Sequence, residues 1–155
     1  MWGGCWCITF HLARRGGDRT ADQNRQEKRE LVRGGQAHAA LLYEADDLVG
    51  SCRFGYPTEL PARVTCYDRL GVAPPPSRIT CFFVDRDHRK QGIAKAALAG
   101  ALRMIADGGG GLVDGSPVST GGKGTSGSFL WAGTETMFAQ LEFRPLGTWG
   151  GLPRE

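Results

Sequence analysis

One short segment carries the densest chemistry in the chain: Asp85-Arg86-Asp87-His88-Arg89-Lys90-Gln91-Gly92-Ile93-Ala94. It joins an apolar run to an amphipathic one. A helix that begins near Gly92 leaves its first backbone N–H groups without intrahelical acceptors and carries roughly half a positive charge there, which suits an anion. Gly92 lets a ligand approach the backbone, Ala94 is small enough to leave room over the first turn, and Arg89, Lys90 and Lys95 add positive charge. The group best served is a diphosphate, held mainly by main-chain amides with the cations aiding its capture. A strand–loop–helix junction can also hold basic residues without binding anything, so the loop alone leaves both readings open.

The elements on either side must position that loop. Ile79 to Val84 (ITCFFV) is a continuous run of β-branched and aromatic residues, which predicts a strand at the sheet centre, covered on both faces. From Gln91 to Asp107 the apolar Ala94, Leu98, Ala101 and Ile105 recur at the spacing of one buried helical stripe, and Gly108 stops it. Upstream, Thr20 and Gln23 have capping-box spacing, and good helix formers run to Gly34-Gly35, which predicts a helix over 21–33 with a solvated, charged face. Ala39 to Glu44 and Leu48 to Phe54 read as an antiparallel hairpin around the acidic turn at Asp46-Asp47. Trp2 to Phe10 suits a short strand, and the prolines between residues 55 and 76 forbid a long helix or central strand, leaving loop with one short turn. Leu112-Val113 seeds another strand, Gly133 to Leu141 reads as a helix, and Phe143 to Trp149 as a last strand broken by Pro145. The expected class is α/β, a mixed central sheet with flanking helices and a shortened N-terminal strand-helix region.

The 155 residues suit a single domain spanning 1–155, with residues 1–20 a short, atypical N-terminal segment. Apolar residues at 41% and charged residues at 23% exclude disorder of the whole chain. A net charge of +3 falls short of the concentrated basic footprint of a nucleic-acid binder. No apolar run approaches the ~20 residues that cross a bilayer, and the opening Met1-Trp2-Gly3-Gly4 lacks the segments of a signal peptide, so a cytoplasmic protein with no membrane partner is expected.

Other chemistry-bearing residues yield less. Cys5, Cys7, Cys52, Cys66 and Cys81 form an odd set with no disulfide spacing, as for buried thiols in a reducing compartment. Cys5-Trp6-Cys7 with His11 nearby lacks the spacing and the second ligand pair of a zinc site and the CxxC of a redox pair, so no metal is expected. Gly122-Lys123-Gly124-Thr125-Ser126-Gly127 satisfies GxGxxG, with Glu142 twenty residues after Gly122, but no strand material precedes it and Gly133 interrupts the helix it would have to open; a flexible loop is the better reading. Glu44, Glu59, Asp85 and His88 are the acid-base candidates, and Tyr43, Tyr56, Trp6 and Trp131 the aromatics able to line a pocket or simply to pack. None is singled out as catalytic.

Arg89-x-x-Gly92-x-Ala94, between a hydrophobic strand and an amphipathic helix, resembles the acyl-CoA diphosphate signature of the GNAT family of N-acetyltransferases. The hairpin with Leu48-Val49-Gly50, the strand ending Phe82-Phe83-Val84, the loop, the long helix and the later Met137-Phe138-Ala139-Gln140-Leu141-Glu142-Phe143 match that family's order from about residue 21 to 149. Cys5-Trp6-Cys7 and Phe129 to Thr134 also look like a bacterial subgroup with unassigned substrates. The resemblance implies transfer of an acetyl group from acetyl-CoA to an amine, on a small molecule or a protein. It implies a coenzyme site built from Phe83, Val84, Arg89, Lys90, Gln91, Gly92, Ile93, Ala94 and Lys95. The pantetheine arm would pair with the backbone of Phe83 and Val84 where two parallel strands splay, near Leu112 to Asp114, and an N–H there would serve the oxyanion. The chain departs from the family where a Tyr often protonates the leaving thiolate: Phe138 stands there, Glu142 replaces a common Gly, and few residues precede the first helix. These departures add two expectations: an acyl-CoA-binding module with little or no turnover as the alternative, and room for a homodimer over uncovered apolar surface.

Overall fold

The computed structural model describes residues 6, 8–12, 19–61, 71, 73–120 and 130–145. Helix α1 spans Ala21–Arg33 because its start is capped reciprocally: Gln23 N–H donates to Thr20 Oγ1 (3.2 Å) and Thr20 N–H to Gln23 Oε1 (2.9 Å). None of its residues is buried, in keeping with a charged, solvated helix.

Strands β1 (His38–Glu44) and β2 (Asp47–Gly55) form the antiparallel hairpin. Glu44 faces Asp47 across the register, so the turn is Ala45-Asp46, one residue earlier than the acidic pair suggests. Strand β3 (Ser77–Val84) pairs antiparallel with β2, and the two-residue β4 (Val113–Asp114) pairs parallel with the start of β3. The order β1-β2-β3-β4 is a mixed sheet with β3 inside it. A buried contact joins the two parallel strands, with Arg78 Nη2 lying 3.2 Å from Asp114 Oδ2 and 3.0 Å from Ser116 Oγ.

Helix α2 (Ile93–Asp107) lies on one face of this sheet. Its predicted stripe is buried at Leu98, Ala101 and Ile105, with Ala97 added and Ala94 half-buried at the margin. These side chains meet Ala40, Cys52, Phe54, Ile79 and Phe82 from the strands. Burial of each large apolar side chain contributes about 1.5–3 kcal/mol, so this layer holds the sheet and helix together. Burial also pushes the Cys52 thiol up, which keeps it inert.

The structure departs from expectation in four further places. Strand β3 is buried on both faces from Ser77 to Thr80, as expected, but not at its end, where Phe82 turns inward and Phe83 is 46% exposed on the face away from α2. Ile8 to His11 form a turn, His11 N–H donating to Ile8 O, and not the end of a strand; Ile8 and Phe10 are buried in it, Phe10 with its ring against Trp131. Helix α3 covers only Glu135–Ala139, since Gly133 takes a left-handed φ of +78° and Thr134 caps the helix after it. Phe143 to Pro145 are not a strand. Trp2 to Cys5, Cys7, Cys66, the 122–127 glycine motif, Phe129 and Trp149 lie outside the described residues.

Candidate functional site

The segment after β3 is shaped by three local devices. Asp85 N–H donates to Val49 O on β2 (2.8 Å), and Asp85 Oδ1 accepts from Asp87 N–H (3.0 Å), which sets a 3-10 turn over Arg86–His88. Gln91 Nε2 reaches back to Asp87 O (3.0 Å). Lys90 then takes φ +62° and Gly92 φ +81°, the second at no steric cost and the first at about 1–2 kcal/mol. A strained lysine held in place by its surroundings is the kind of backbone found at binding sites.

Gly92 is the N-cap of α2 and has no side chain with which to cap it. The first bond back is Ala96 N–H to Gly92 O (3.0 Å), so Ile93, Ala94 and Lys95 present N–H groups with no intrahelical acceptor. The other two α-helices among the described residues are finished differently: Thr20 caps α1 with Asp22 in its first turn, and Thr134 caps α3 with Glu135 in its first turn. The longest helix has no acid in its first turn and has Arg89, Lys90 and Lys95 around it instead. Positive charge at the positive end of a helix dipole repels, and an incoming anion reverses the sign of that interaction. A Cβ on Gly92 would meet nothing within 4 Å, so the space above the cap is open. The arrangement therefore fits a diphosphate through backbone amides flanked by cations.

The helix start is seated directly on the sheet. A Cβ on Gly50 of β2 would stand 2.3 Å from Ile93 Cγ2, so Gly50 is what lets the first turn of α2 reach its place.

Of the four acid-base candidates the structure gathers three. His88 Nε2 lies 2.8 Å from Glu44 Oε2 and Nδ1 lies 3.0 Å from Asp85 Oδ1. The hydrogen bonds to Asp85 and then Glu44 hold His88 above its ordinary range, while the bond from His88 and that from Asp87 N–H hold Asp85 below its own. The ring thus faces carboxylates. Glu59 is elsewhere: Oε1 pairs with His38 Nε2 (3.0 Å), Oε2 accepts from Tyr56 N–H (3.0 Å), and its carbonyl meets His11 Nδ1 (3.0 Å). Burial and then the Lys28 ammonium hold His11 below its ordinary range. Sequence reasoning missed this second cluster, because its histidines and Glu59 are separated by up to 48 residues.

The edge of β3 can be read from its register. Asp85 N–H points to β2, so in an antiparallel ladder Phe83, opposite Ser51, points there too, and Phe82 and Val84 point away. Phe82 N–H donates to Trp131 O (2.7 Å), the chain's own segment closing that position. Of the expected pair, Val84 therefore directs its backbone away from β2, where no partner stands among the described residues, and Phe83 does not. Phe138 is buried at 3%, edge-on to Phe82 (6.1 Å) and Phe143 (4.8 Å) and against Gly115, where a Cβ would be 2.3 Å from its ring. It packs between Phe82 of β3 and Gly115, just past β4, and carries no proton to give. The aromatics are dispersed: Tyr43 is exposed, Tyr56 lies edge-on to His38, Trp131 leans on Phe10, and Trp6 lies under Arg25. Among the described residues no group of three or more His, Cys, Asp or Glu side chains could hold a metal ion, and no helix is long and apolar enough to cross a membrane.

The family model described as the acetyltransferase (GNAT) family matches residues 8–113, more than half the chain. No curated protein matches it. A crystal structure of an N-acetyltransferase from Staphylococcus aureus Mu50 aligns with a TM-score of 0.52 over 92% of this chain and 73% of that one, at 16% identity, a likeness of fold.

Proposed function

Because the chain belongs to the acetyltransferase (GNAT) family, we propose that it binds acetyl-CoA at the start of α2 and transfers the acetyl group directly to an amine. The observation that carries this reading is the uncapped, acid-free and cation-flanked N-terminus of the longest helix. Arg89, Lys90, Gln91, Gly92, Ile93, Ala94 and Lys95 form the cradle, with the N–H groups of Ile93, Ala94 and Lys95 available to the diphosphate. The coenzyme supplies an activated thioester. In this reading Val84, whose backbone is directed away from β2, donates an N–H to the thioester oxygen as negative charge develops there. The amine must arrive neutral: its nitrogen bonds to the carbonyl carbon, its proton leaves, and the carbon–sulfur bond breaks. Phe138 cannot protonate the departing sulfur, so this chain relies on departure as thiolate or on water.

The acceptor is a small-molecule or protein amine, and the setting that goes with this reading is a cytoplasmic one, with the whole chain acting as one domain. Leu41, Tyr43, Leu48 and Phe83 lie exposed on the sheet face away from α2, which supports a homodimer. The buried Phe138 favours a second reading, an acyl-CoA-binding module with little turnover. The test is release of free thiol from acetyl-CoA in the presence of a panel of amines. Thiol release that depends on an added amine is the expected result; coenzyme binding without thiol release by any amine selects the binding module.

A further inference from the structure

Three ionisable groups that acetyl transfer leaves without a task meet at the root of the diphosphate loop. Glu44 ends β1, Asp85 opens the loop, and His88 ends its 3-10 turn. The imidazole lies between the two carboxylates, 2.8 Å from Glu44 Oε2 on one side and 3.0 Å from Asp85 Oδ1 on the other. An ionised carboxylate can only accept, so each contact needs an N–H on the ring. Neutral imidazole has one and imidazolium has two; the geometry as it stands is that of the charged ring. Loss of the proton would set a bare ring nitrogen against a carboxylate oxygen and release one of the two ties.

The mechanical consequence falls on the segment just downstream. Among the described residues, the chain between Val84 and Gly92 is otherwise held by the Asp85-to-Val49 bond and by bonds within the loop itself, Asp87 N–H to Asp85 Oδ1, His88 N–H to Asp85 O and Gln91 to Asp87. His88 adds a link from the loop to the end of β1 and stands immediately before Arg89 and the left-handed Lys90.

We propose that His88 is a positioning residue of the diphosphate site, a strut that as imidazolium holds the loop against the β1–β2 hairpin and thereby sets coenzyme affinity. The proposal rests on the reading of this loop as a diphosphate site. The charged groups facing the ring are Glu44 from β1 and Asp85 from its own loop; Asp46 and Asp47 follow the first in the hairpin turn, Arg86 and Asp87 follow the second, and Arg89 adjoins His88 itself. The weakening on deprotonation comes from the count of donors on the ring.

The test is the affinity for dephospho-coenzyme A from about pH 5.5 to 8.5, a probe chosen because it lacks the phosphate monoester that itself titrates near pH 6. The unaltered protein should lose about three- to fivefold in affinity as the pH rises, the scale of an exposed charge pair. His88→Gln should bind weakly with no such slope. His88→Arg, a permanent cation with a fork of donors, should bind tightly with no slope, a rescue that separates the strut from mere packing. Melting temperatures of both variants report folding independently. A slope that persists in His88→Gln, or a flat profile in the unaltered protein, overturns the strut and leaves the diphosphate site standing. Failure of the unaltered protein to bind the probe at every pH removes the diphosphate site, and the strut with it.

Discussion

Gly50 and Gly92 both lack a Cβ, for opposite reasons. Gly50 is a matter of space: its missing Cβ is filled by Ile93, so Gly50→Ala should cost about 1–3 kcal/mol in a urea melt by forcing the start of α2 outward. Gly92 is a matter of torsion, with open space above and φ +81° beneath. His88 in the loop and His11 beside Glu59 should respond to pH with opposite signs. His88 sits above its ordinary 6.5, so the stability it contributes is fully present below pH 6.5 and lost as the pH rises through its raised value. Asp85 sits below its ordinary 3.8, so its share is present above pH 3.8 and lost as the pH falls through its lowered value. The difference in unfolding free energy between the unaltered protein and His88→Ala should therefore be largest between those limits and vanish in alkali. His11 sits below its ordinary 6.5, so its share is present above pH 6.5 and lost on acidification; His11→Gln should flatten that acid-side loss, measured by the same melts.

At the scale of elements, the features legible in advance were those decided locally. The Thr20–Gln23 spacing is a complete N-terminal signal, and α1 begins and ends where it says. The stripe through Leu98, Ala101 and Ile105 is likewise intrinsic to its helix, and Leu98→Ala should lower stability by about 2–5 kcal/mol in denaturant titration because Leu98 is fully buried against the strands. The features that could not be read depend on partners. Whether Phe83 or Val84 directs its backbone away from β2 is decided by the register with β2, which Asp85 and Val49 set across more than thirty residues. The His88 cluster needs Glu44, brought in by the hairpin. Ile8 and Phe10 look like strand residues because they are apolar, yet they are buried in a turn. The composition of the Arg89-to-Lys95 segment was visible from the outset, whereas the absence of any competing cap on α2 became visible only beside the caps of α1 and α3.

At the scale of the molecule, a mixed four-stranded sheet with α2 on one face places a strand edge and a helix start side by side, and membership of the acetyltransferase family gives that juxtaposition a use. The opposite face, with Leu41, Tyr43, Leu48 and Phe83 exposed, should be covered in a homodimer; sedimentation equilibrium should show a dimer that Leu41→Glu with Phe83→Glu converts to a folded monomer, and an unaltered protein that is monomeric at high concentration would contradict it. The central claim is that the start of α2 holds a diphosphate. Calorimetric titration of acetyl-CoA into the unaltered protein and into Gly92→Val tests it most directly, since a β-branched residue is a poor fit to φ +81° and would intrude on the open space above the cap. The account predicts saturable one-to-one binding by the first and at least a tenfold weaker interaction, about 1.4 kcal/mol, by a still-folded second. Equal affinity in the two, or no binding by either, would contradict it.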